Sequence, residues 1–481
     1  MLGRTKRIHL VGIGGSGMNG IAELLFKLGY AVSGSDARLS AVTERLASMG
    51  LRIHEGHAAG HVGDADVVVF SSAIDRSNPE VVEAALRGIP VIPRAEMLAE
   101  LMRLRFGVAV AGAHGKTTTT SMIALVLERG GLDPTAVIGG RMSTFGSSAR
   151  LGKGDVMVIE ADESDRSFLR FAPAIAVLTN IDQEHLEAYG DSFDELKRAF
   201  AAFAGKVPFY GAIVACVDDP HLRRLVPGFS RRVITYGLTA EDAQLRGSDV
   251  RNSGLEWSCS VAWSRPTGGG AAPEAALRGE PVPAGDLGRI VLHVPGRHNL
   301  QNALAAVAVG LELQVPFDRI VSALAEFRGA ERRFESHGEV NGVLVIEDYG
   351  HHPTEIAAVL RAAREALGRR LVAVFQPHRY TRTVRQLDRF GPALADADEI
   401  VLTGIYAAGE PPDPTVTVEA LADSIRRSVA APVHLVGDLK DVPDAVARIA
   451  RPGDVVVALG AGSIGPATKL IVEALSRRAR G

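Results

Sequence analysis

Short apolar runs, each followed by a glycine-bearing turn and an amphipathic stretch, recur along the chain. RIHLVG at 7–12 reads as a buried strand, and GIGGSGM carries it into an apolar-periodic helix from about 17 to 28. A second strand, AVSGS, ends at Asp36; VVVF at 67–70, a helix near 79–87 and PVI at 90–92 follow. Continuously apolar strands are what helices on both faces of a sheet require, so the pattern predicts a parallel α/β unit over 1–104.

A second α/β unit opens at FGVAVAG, 106–112, a strand feeding AHGKTTTT and a helix to about 129. VMVIE (156–160), AIAVLTN (174–180) and IVAC (213–216) read as further strands, with a helix over about 192–203. Between 243 and 294 the apolar positions alternate, which predicts short, antiparallel strands, and GGGAAPEAALRGEPVPAG (268–285) reads as a surface loop. PGRHNLQNALAAVAVGL returns to helix, so this unit spans 105–328. From 329 to 481, VLVIEDYG, LVAVFQ, EIVLT and DVVVALG supply strands; helices fit after Pro353 and over about 385–395, 418–428 and 441–450. No short-period repeat is visible.

Composition narrows the function. The 481 residues carry 53 Lys and Arg against 56 Asp and Glu, a formal charge of −3, so no polycationic coat supports nucleic-acid binding. Two cysteines, Cys216 and Cys259, cannot build a disulfide framework or a four-thiolate zinc site. No apolar run is long enough to span a bilayer, and no signal-peptide core follows Met1–Arg7, so a cytoplasmic enzyme without membrane insertion is expected.

Two glycine turns carry the chemistry. In Gly12-Ile13-Gly14-Gly15-Ser16-Gly17 the backbone can approach a diphosphate at a helix N-terminus, and Asp36 stands where an acid accepts a ribose hydroxyl. NAD, another nucleotide diphosphate and a purely structural turn all fit. The second turn, Gly112-Ala113-His114-Gly115-Lys116-Thr117 with Thr118 following, lacks the full P-loop pattern because position 110 is Val. Its backbone amides can still cradle phosphates, with Lys116 on the β and γ phosphates and Thr117 on Mg²⁺. Glu160, at the end of VMVIE, is a candidate metal ligand; Asp162, Glu163 and Asp165 read as loop-solvating acids. His185 fits either a metal or phosphate role or a satisfied loop histidine.

Asn299 and Asn302, three apart, share a helix face and fit purine recognition or pinning of the helix start. Arg332 or Arg333 fits a phosphate or an ion pair, and Asp348 a ribose hydroxyl or a metal-shell water. Of His351 and His352, one fits amine steering or phosphate binding, and the sequence does not say which. His378, Arg379 and Arg382 make a compact basic surface for carboxylate or phosphate, and Glu410 in YAAGE is a candidate substrate contact. GAGSIG at 460–465 reads as a packing turn as readily as a nucleotide one.

Taken together, GIGGSGM, AGAHGKTTTT, EADESD, TNIDQEHLEAY, PGRHNLQNALAA, RRFE, EDYGHHPTE, FQPHRYTRT and YAAGE, in that order, resemble the Mur ligase family over essentially the whole chain. The resemblance implies a three-domain α/β architecture with a Rossmann-like N-terminal domain, a P-loop ATP-binding central domain and a Rossmann-like C-terminal domain. It implies ligation of L-alanine to the carboxylate of UDP-N-acetylmuramate through an acyl phosphate, with ATP and Mg²⁺, by a monomer or weak homodimer. A ligase joining a preformed peptide is the nearest alternative; an NAD oxidoreductase or a nonenzymatic nucleotide switch leaves more motifs unexplained.

By the same resemblance, Gly14, Gly15, Ser16, Gly17 and Asp36 face UDP, and Gly112, Ala113, His114, Gly115, Lys116, Thr117 and Thr118 face ATP. Thr117, Glu160 and His185 take the metal, and Asn299, Asn302, Arg332 and Asp348 the nucleotide. Lys116, His185, His351 and Arg379 are the catalytic candidates, and Arg379, Arg382 and Glu410 meet the substrate. Three departures from the family pattern stand out: Ala113 for the usual Thr, Glu184 for Asp before His185, and Glu347 for the first Asp of DDYGHHP.

Overall fold

A computed structural model describes residues 3–15, 17–71, 73–139, 149–264 and 284–478. Ser16 and residues 268–283 of the surface loop expected over 268–285 lie outside them. The chain divides into two compact units, one formed by 1–250, 259–291 and 300–327, the other by 251–258, 292–299 and 328–481.

Among the described residues the strands form three sheets. The first holds β1 (Arg7–Val11), β2 (Ala31–Asp36), β3 (Arg52–Glu55), β4 (Val67–Phe70) and β5 (Val91–Pro93), in the order β3-β2-β1-β4-β5. Every pairing in it is parallel. The strand order reverses at β1, so the glycine turn leaves the sheet where an α/β fold opens a crevice.

The second sheet holds β6 (Phe106–Ala111), β7 (Thr135–Val137), β8 (Ala149–Arg150), β9 (Val156–Glu160), β10 (Ile175–Leu178), β11 (Ala212–Cys216), β12 (Val233–Gly237), β13 (Leu245–Ser253), β14 (Glu256–Trp263) and β15 (Gly285–Leu292). Its order is β15-β14-β13-β12-β11-β10-β6-β9-β7-β8. β6 runs parallel to both β9 and β10, with Val110 opposite Glu160 and Ala111 opposite Leu178. That register delivers the phosphate turn, Glu160 and the residues after Leu178 to one edge. The helix Lys116–Arg129 leaves this edge with Thr118 to Leu127 buried.

The third sheet belongs to the second unit: β16 (Glu335–Val340), β17 (Val343–Asp348), β18 (Leu371–Phe375), β19 (Glu399–Thr403), β20 (Val433–Val436) and β21 (Val455–Leu459), in the order β16-β17-β21-β18-β19-β20. Only β16 pairs antiparallel among its pairings. The helix expected over about 385–395 is present as Leu387–Ala393, preceded by a separate short helix, Tyr380–Arg385, that the pattern did not predict. The break falls at Gln386, whose backbone (φ −110, ψ 12) leaves the helical region.

β4, β6, β10, β11, β18 and β21 are apolar throughout, as strands covered on both faces are, and β18 is buried at every position. Side chains cap several helix starts: Ser40, Asn78, Ser192, Asp219 and Thr417 each accept from a first-turn N–H. The helices Met18–Lys27 and Lys116–Arg129 begin differently, at Gly17 (φ 81) and Gly115 (φ 80), with no side-chain cap. Their first-turn amides have no acceptor within the helix.

In the second unit, Phe375 is fully buried and its ring lies 5.2 Å from that of Phe390. We expect Phe375→Ala to cost about 3–5 kcal/mol of that unit's stability, read as a lowered urea midpoint. A midpoint unchanged from wild type would contradict this core.

Candidate active site

The second glycine turn is splinted by the end of β10. Ala113 N–H donates to the Asn180 carbonyl (3.1 Å) and His114 N–H to Asn180 Oδ1 (2.8 Å), while Thr179 Oγ1 donates to the His114 carbonyl (2.7 Å). The turn therefore keeps its shape without a ligand, and its helix amides stay open. Gly115 could not carry a side chain cheaply: φ is 80, and a Cβ would stand 2.6 Å from Asn302 Oδ1. The carboxamide of Asn302 thus reaches the phosphate turn itself. Asn299 does something else, donating from Nδ2 to the Pro295 carbonyl (2.7 Å) and pinning its helix start.

Lys116 curls over this turn. Its Nζ donates to the carbonyls of Gly112 (2.7 Å) and Ala113 (3.3 Å) and to Glu163 Oε2 (2.7 Å). Glu163 is 2% exposed, so the expectation that it solvates the loop is wrong. The chain folds back after Glu160 and turns this carboxylate inward as counter-ion to the lysine. Burial works against the Lys116 ammonium, but Glu163, Asp162 and Glu160 outweigh it and raise its pKa, so it stays charged. Burial, with Asp162 adding, pushes Glu163 up to about 7 against the pull of Lys116. Asp162 and Asp165 accept from the Ser164 and Ser167 amides, as loop-turning acids do.

Thr117 Oγ1 donates to Glu160 Oε2 at 2.9 Å, and the Gly139 amide reaches the same oxygen at 2.9 Å. An alcohol and a carboxylate side by side, beside open helix amides, are hard-oxygen chemistry that fits Mg²⁺ on a phosphate. The His185 ring lies 3.5 Å from Glu184 and 3.8 Å from Glu187, with its backbone left-handed (φ 55). The departing residue Glu184 is buried, and His114 pairs with Asp182 at 3.0 Å.

At the first turn, the Gly12 and Ile13 amides both donate to the Ser35 carbonyl (2.9 and 3.0 Å), and Gly14 N–H donates to Asp36 Oδ2 (2.8 Å). One oxygen of Asp36 thus holds the turn. Gly15 N–H closes back on the Gly12 carbonyl (3.1 Å). At Gly17 a Cβ would stand 2.3 Å from Arg94 Nη1, so a guanidinium lies against the uncapped helix start. The sequence pattern did not single out Arg94, which lies 77 positions on at the start of the helix Arg94–Met102. A cation there suits a diphosphate.

The second unit gathers its own set. His352 is fully buried as the N-cap of the helix Pro353–Leu367, accepting from Thr354 N–H. His351 keeps 12% of its side chain exposed, which separates the two histidines. Its Nδ1 lies 2.9 Å from the Tyr349 carbonyl; since a carbonyl only accepts, Nδ1 carries the hydrogen and the lone pair sits on Nε2. The ring lies 5.4 Å from His378, which stacks on Tyr406 at 5.6 Å.

Arg379 has a backbone (φ 69, ψ 137) that non-glycine residues avoid, fixed by its N–H donating to the Tyr406 carbonyl (2.8 Å). Its Nε is buried without a hydrogen-bond partner. A strained backbone and an unmet guanidinium donor together fit an anion. Arg382 reaches His378 Nδ1 (3.0 Å), and Glu410 accepts from the Thr381 backbone (3.1 Å), steadying this segment.

Two candidates in this unit are occupied with structure. Arg332 donates to Glu347 (2.5 Å) and to the carbonyls of Gly460 (2.9 Å) and Gly462 (3.3 Å), so it holds the GAGSIG turn. Asp348 is buried and accepts from the Phe334 (2.8 Å) and Gly350 (2.6 Å) amides; burial raises its pKa.

The chain matches three family models end to end: "Mur ligase family, catalytic domain" at residues 7–106, "Mur ligase middle domain" at 110–310 and "Mur ligase, glutamate ligase domain" at 332–462. It is 50% identical to a UDP-N-acetylmuramate–L-alanine ligase from Solibacter usitatus, covering 100% of this chain and 98% of that one. Identity to the same enzyme from Sorangium cellulosum is 52%, over 96% and 95% of the two chains. Among solved structures, UDP-N-acetylmuramate–alanine ligase from Thermotoga maritima superposes with a TM-score of 0.80 at 29% identity, over 98% and 99% of the chains. A murein peptide ligase from Psychrobacter arcticus gives 0.68 at 25%, over the same shares.

Gly115→Ala puts a side chain into the left-handed region and against Asn302. It should cost about 1–2 kcal/mol of stability and weaken nucleotide binding measured by calorimetry. Wild-type binding in that variant would show that the turn does not need this backbone.

Proposed function

The chain belongs to the Mur ligase family, and on that premise we propose how its residues add L-alanine to the carboxyl group of UDP-N-acetylmuramate. The reaction is an ATP-dependent amide ligation of peptidoglycan synthesis, giving UDP-N-acetylmuramoyl-L-alanine. Residues 1–104 hold the sugar nucleotide, 105–328 hold ATP, and 329–481 serve the amino acid and the nucleotide. Both nucleotide substrates are cytoplasmic metabolites, and among the described residues no helix is long and apolar enough to cross a membrane. We assign the enzyme to the cytoplasm.

The observation that supports this reading best is the Lys116 turn. A resting carboxylate is a poor electrophile with no good leaving group, so it must be activated before an amine can attack. The muramyl carboxylate oxygen attacks the γ-phosphorus of ATP, the bond to ADP breaks, and an acyl phosphate forms. Lys116 and the open amides of its helix stabilise the charge on the transferring phosphoryl group. Bound ATP competes with Glu163 for the ammonium, so the ion pair holds the lysine ready in the turn. Thr117, Glu160 and His185 would hold Mg²⁺, which neutralises phosphate oxygens as a Lewis acid. Asn302 packs on the nucleotide side of the turn.

The amine then attacks the acyl carbon, phosphate leaves, and a proton must go. His351 Nε2 takes it, because Nδ1 is committed to the Tyr349 carbonyl. Arg379, through its unmet Nε, and Arg382 receive the carboxylate of L-alanine, with Glu410 fixing the segment between them. Arg332 and Asp348 act by shaping the Gly460–Gly462 turn and the loop before His351. At the first glycine turn, Gly14, Gly15, Gly17 and Arg94 hold the UDP diphosphate, and Asp36 serves the sugar nucleotide by fixing the Gly14 amide.

Mass analysis of products from UDP-N-acetylmuramate, ATP, Mg²⁺ and a mixture of L-alanine, glycine, L-serine and peptide tests the substrate assignment. The L-alanine adduct should dominate; a peptide adduct in its place would mark a peptide ligase. Lys116→Ala should lower turnover about 100- to 1000-fold, the range for losing a preorganised electrostatic contact, in a chain that remains folded by circular dichroism. Near-normal turnover would contradict the assignment.

A further inference from the structure

Glu80 is fully buried at the start of the helix Pro79–Leu86, in the unit that carries the first glycine turn. Burying a carboxylate is costly unless it is partnered, and this one is surrounded by donors. Ser35 Oγ donates to its Oε2 at 2.5 Å, and His57 Nδ1 lies 3.3 Å from the same oxygen. His61 Nδ1 lies 2.9 Å from Oε1, and His9 Nε2 3.8 Å from Oε2. Burial works against the charge, but His9, Ser35 and His61 outweigh it and lower the pKa to about 2. The group is an anion at neutral pH, and none of the proposed chemistry uses it.

Its first partner explains where that anion acts. The Ser35 carbonyl accepts the Gly12 and Ile13 amides, and Asp36 next to it accepts the Gly14 amide. Three successive amides of the turn therefore hang on residues 35 and 36. Glu80 grips the side chain of the residue that holds two of them.

We propose that Glu80 is a positioning residue for the sugar-nucleotide substrate: through the Ser35 hydroxyl it fixes the backbone that shapes the Gly12–Gly14 turn. This rests on the reading of that turn as the UDP diphosphate site. Glu80 does not touch the substrate; it sets the substrate's affinity by holding the strand end from behind.

Steady-state kinetics of the full chain test this with Glu80→Gln, Ser35→Ala, the double variant, and Asp36→Ala as a probe of the turn. Glu80→Gln should raise KM for UDP-N-acetylmuramate about tenfold, the order expected from losing one hydrogen bond to a charged group. The kcat and KM for ATP should stay at wild-type values, a split that general destabilisation would not produce. Ser35→Ala should match it, and the double variant should be no worse than the worse single, because both break one link. Should Glu80→Gln fail to fold, Ser35→Ala, which removes only a hydroxyl, carries the same prediction. A raised sugar-nucleotide KM in Asp36→Ala with a wild-type KM in Ser35→Ala and Glu80→Gln would overturn the role of Glu80 and leave the turn assignment standing. A wild-type KM in Asp36→Ala would overturn the turn assignment, and the inference with it. Parallel losses for both substrates, or additive effects in the double variant, would also overturn the inference.

Discussion

A largely covered lysine ammonium among carboxylates, at the mouth of a helix without a side-chain cap, is the constraint around which the proposed ATP site is built. Lys116 needs counter-charge while no phosphate is bound, and Glu163 supplies it at 2.7 Å. The helix amides beside it have no acceptor within the helix and, among the described residues, no side-chain cap. An anionic ligand meets both needs at once, which is why the turn is stable enough to fold and open enough to bind. Its position follows from sheet order: β6 lies between β9 and β10, so the acid of one neighbour and the Thr179–Asn180 splint of the other arrive at the same edge.

The two glycine turns show how similar backbones are put to different uses. Each ends at a left-handed glycine that starts a helix without a side-chain cap. In the second, lysine, threonine and a facing glutamate suit the phosphoryl transfer proposed for it. In the first the acid, Asp36, is turned back on the glycine amides, and the nearby cation is Arg94, which suits holding a diphosphate rather than moving one. On the proposed reading, binding and activation are separated along the chain.

Much of this was legible in the residues. The apolar runs of β1, β4, β6, β9, β18 and β21 announce buried parallel strands because their periodicity is unbroken. β3, with the sequence RIHE, and β16, ESHGEV, were not visible, since each is largely polar and partly exposed and only pairing makes it a strand. The motif residues Lys116, Thr117, Glu160 and Asn302 do meet in one place. Spacing could not show that Glu163 turns inward, that His352 is a sealed helix cap while His351 is not, or that Arg332 is consumed by Glu347 and three carbonyls. Those outcomes depend on where the chain folds back, and burial has no local signature in a run such as EADESD. Arg94 reaches Gly17 only through the fold.

The account stands on transfer of the terminal phosphoryl group of ATP to the sugar-linked carboxylate, and isotope labelling tests that directly. With oxygen-18 in the carboxylate of UDP-N-acetylmuramate, one labelled oxygen should appear in the released phosphate for each amide formed. Amide accumulating while the phosphate stays unlabelled would contradict it.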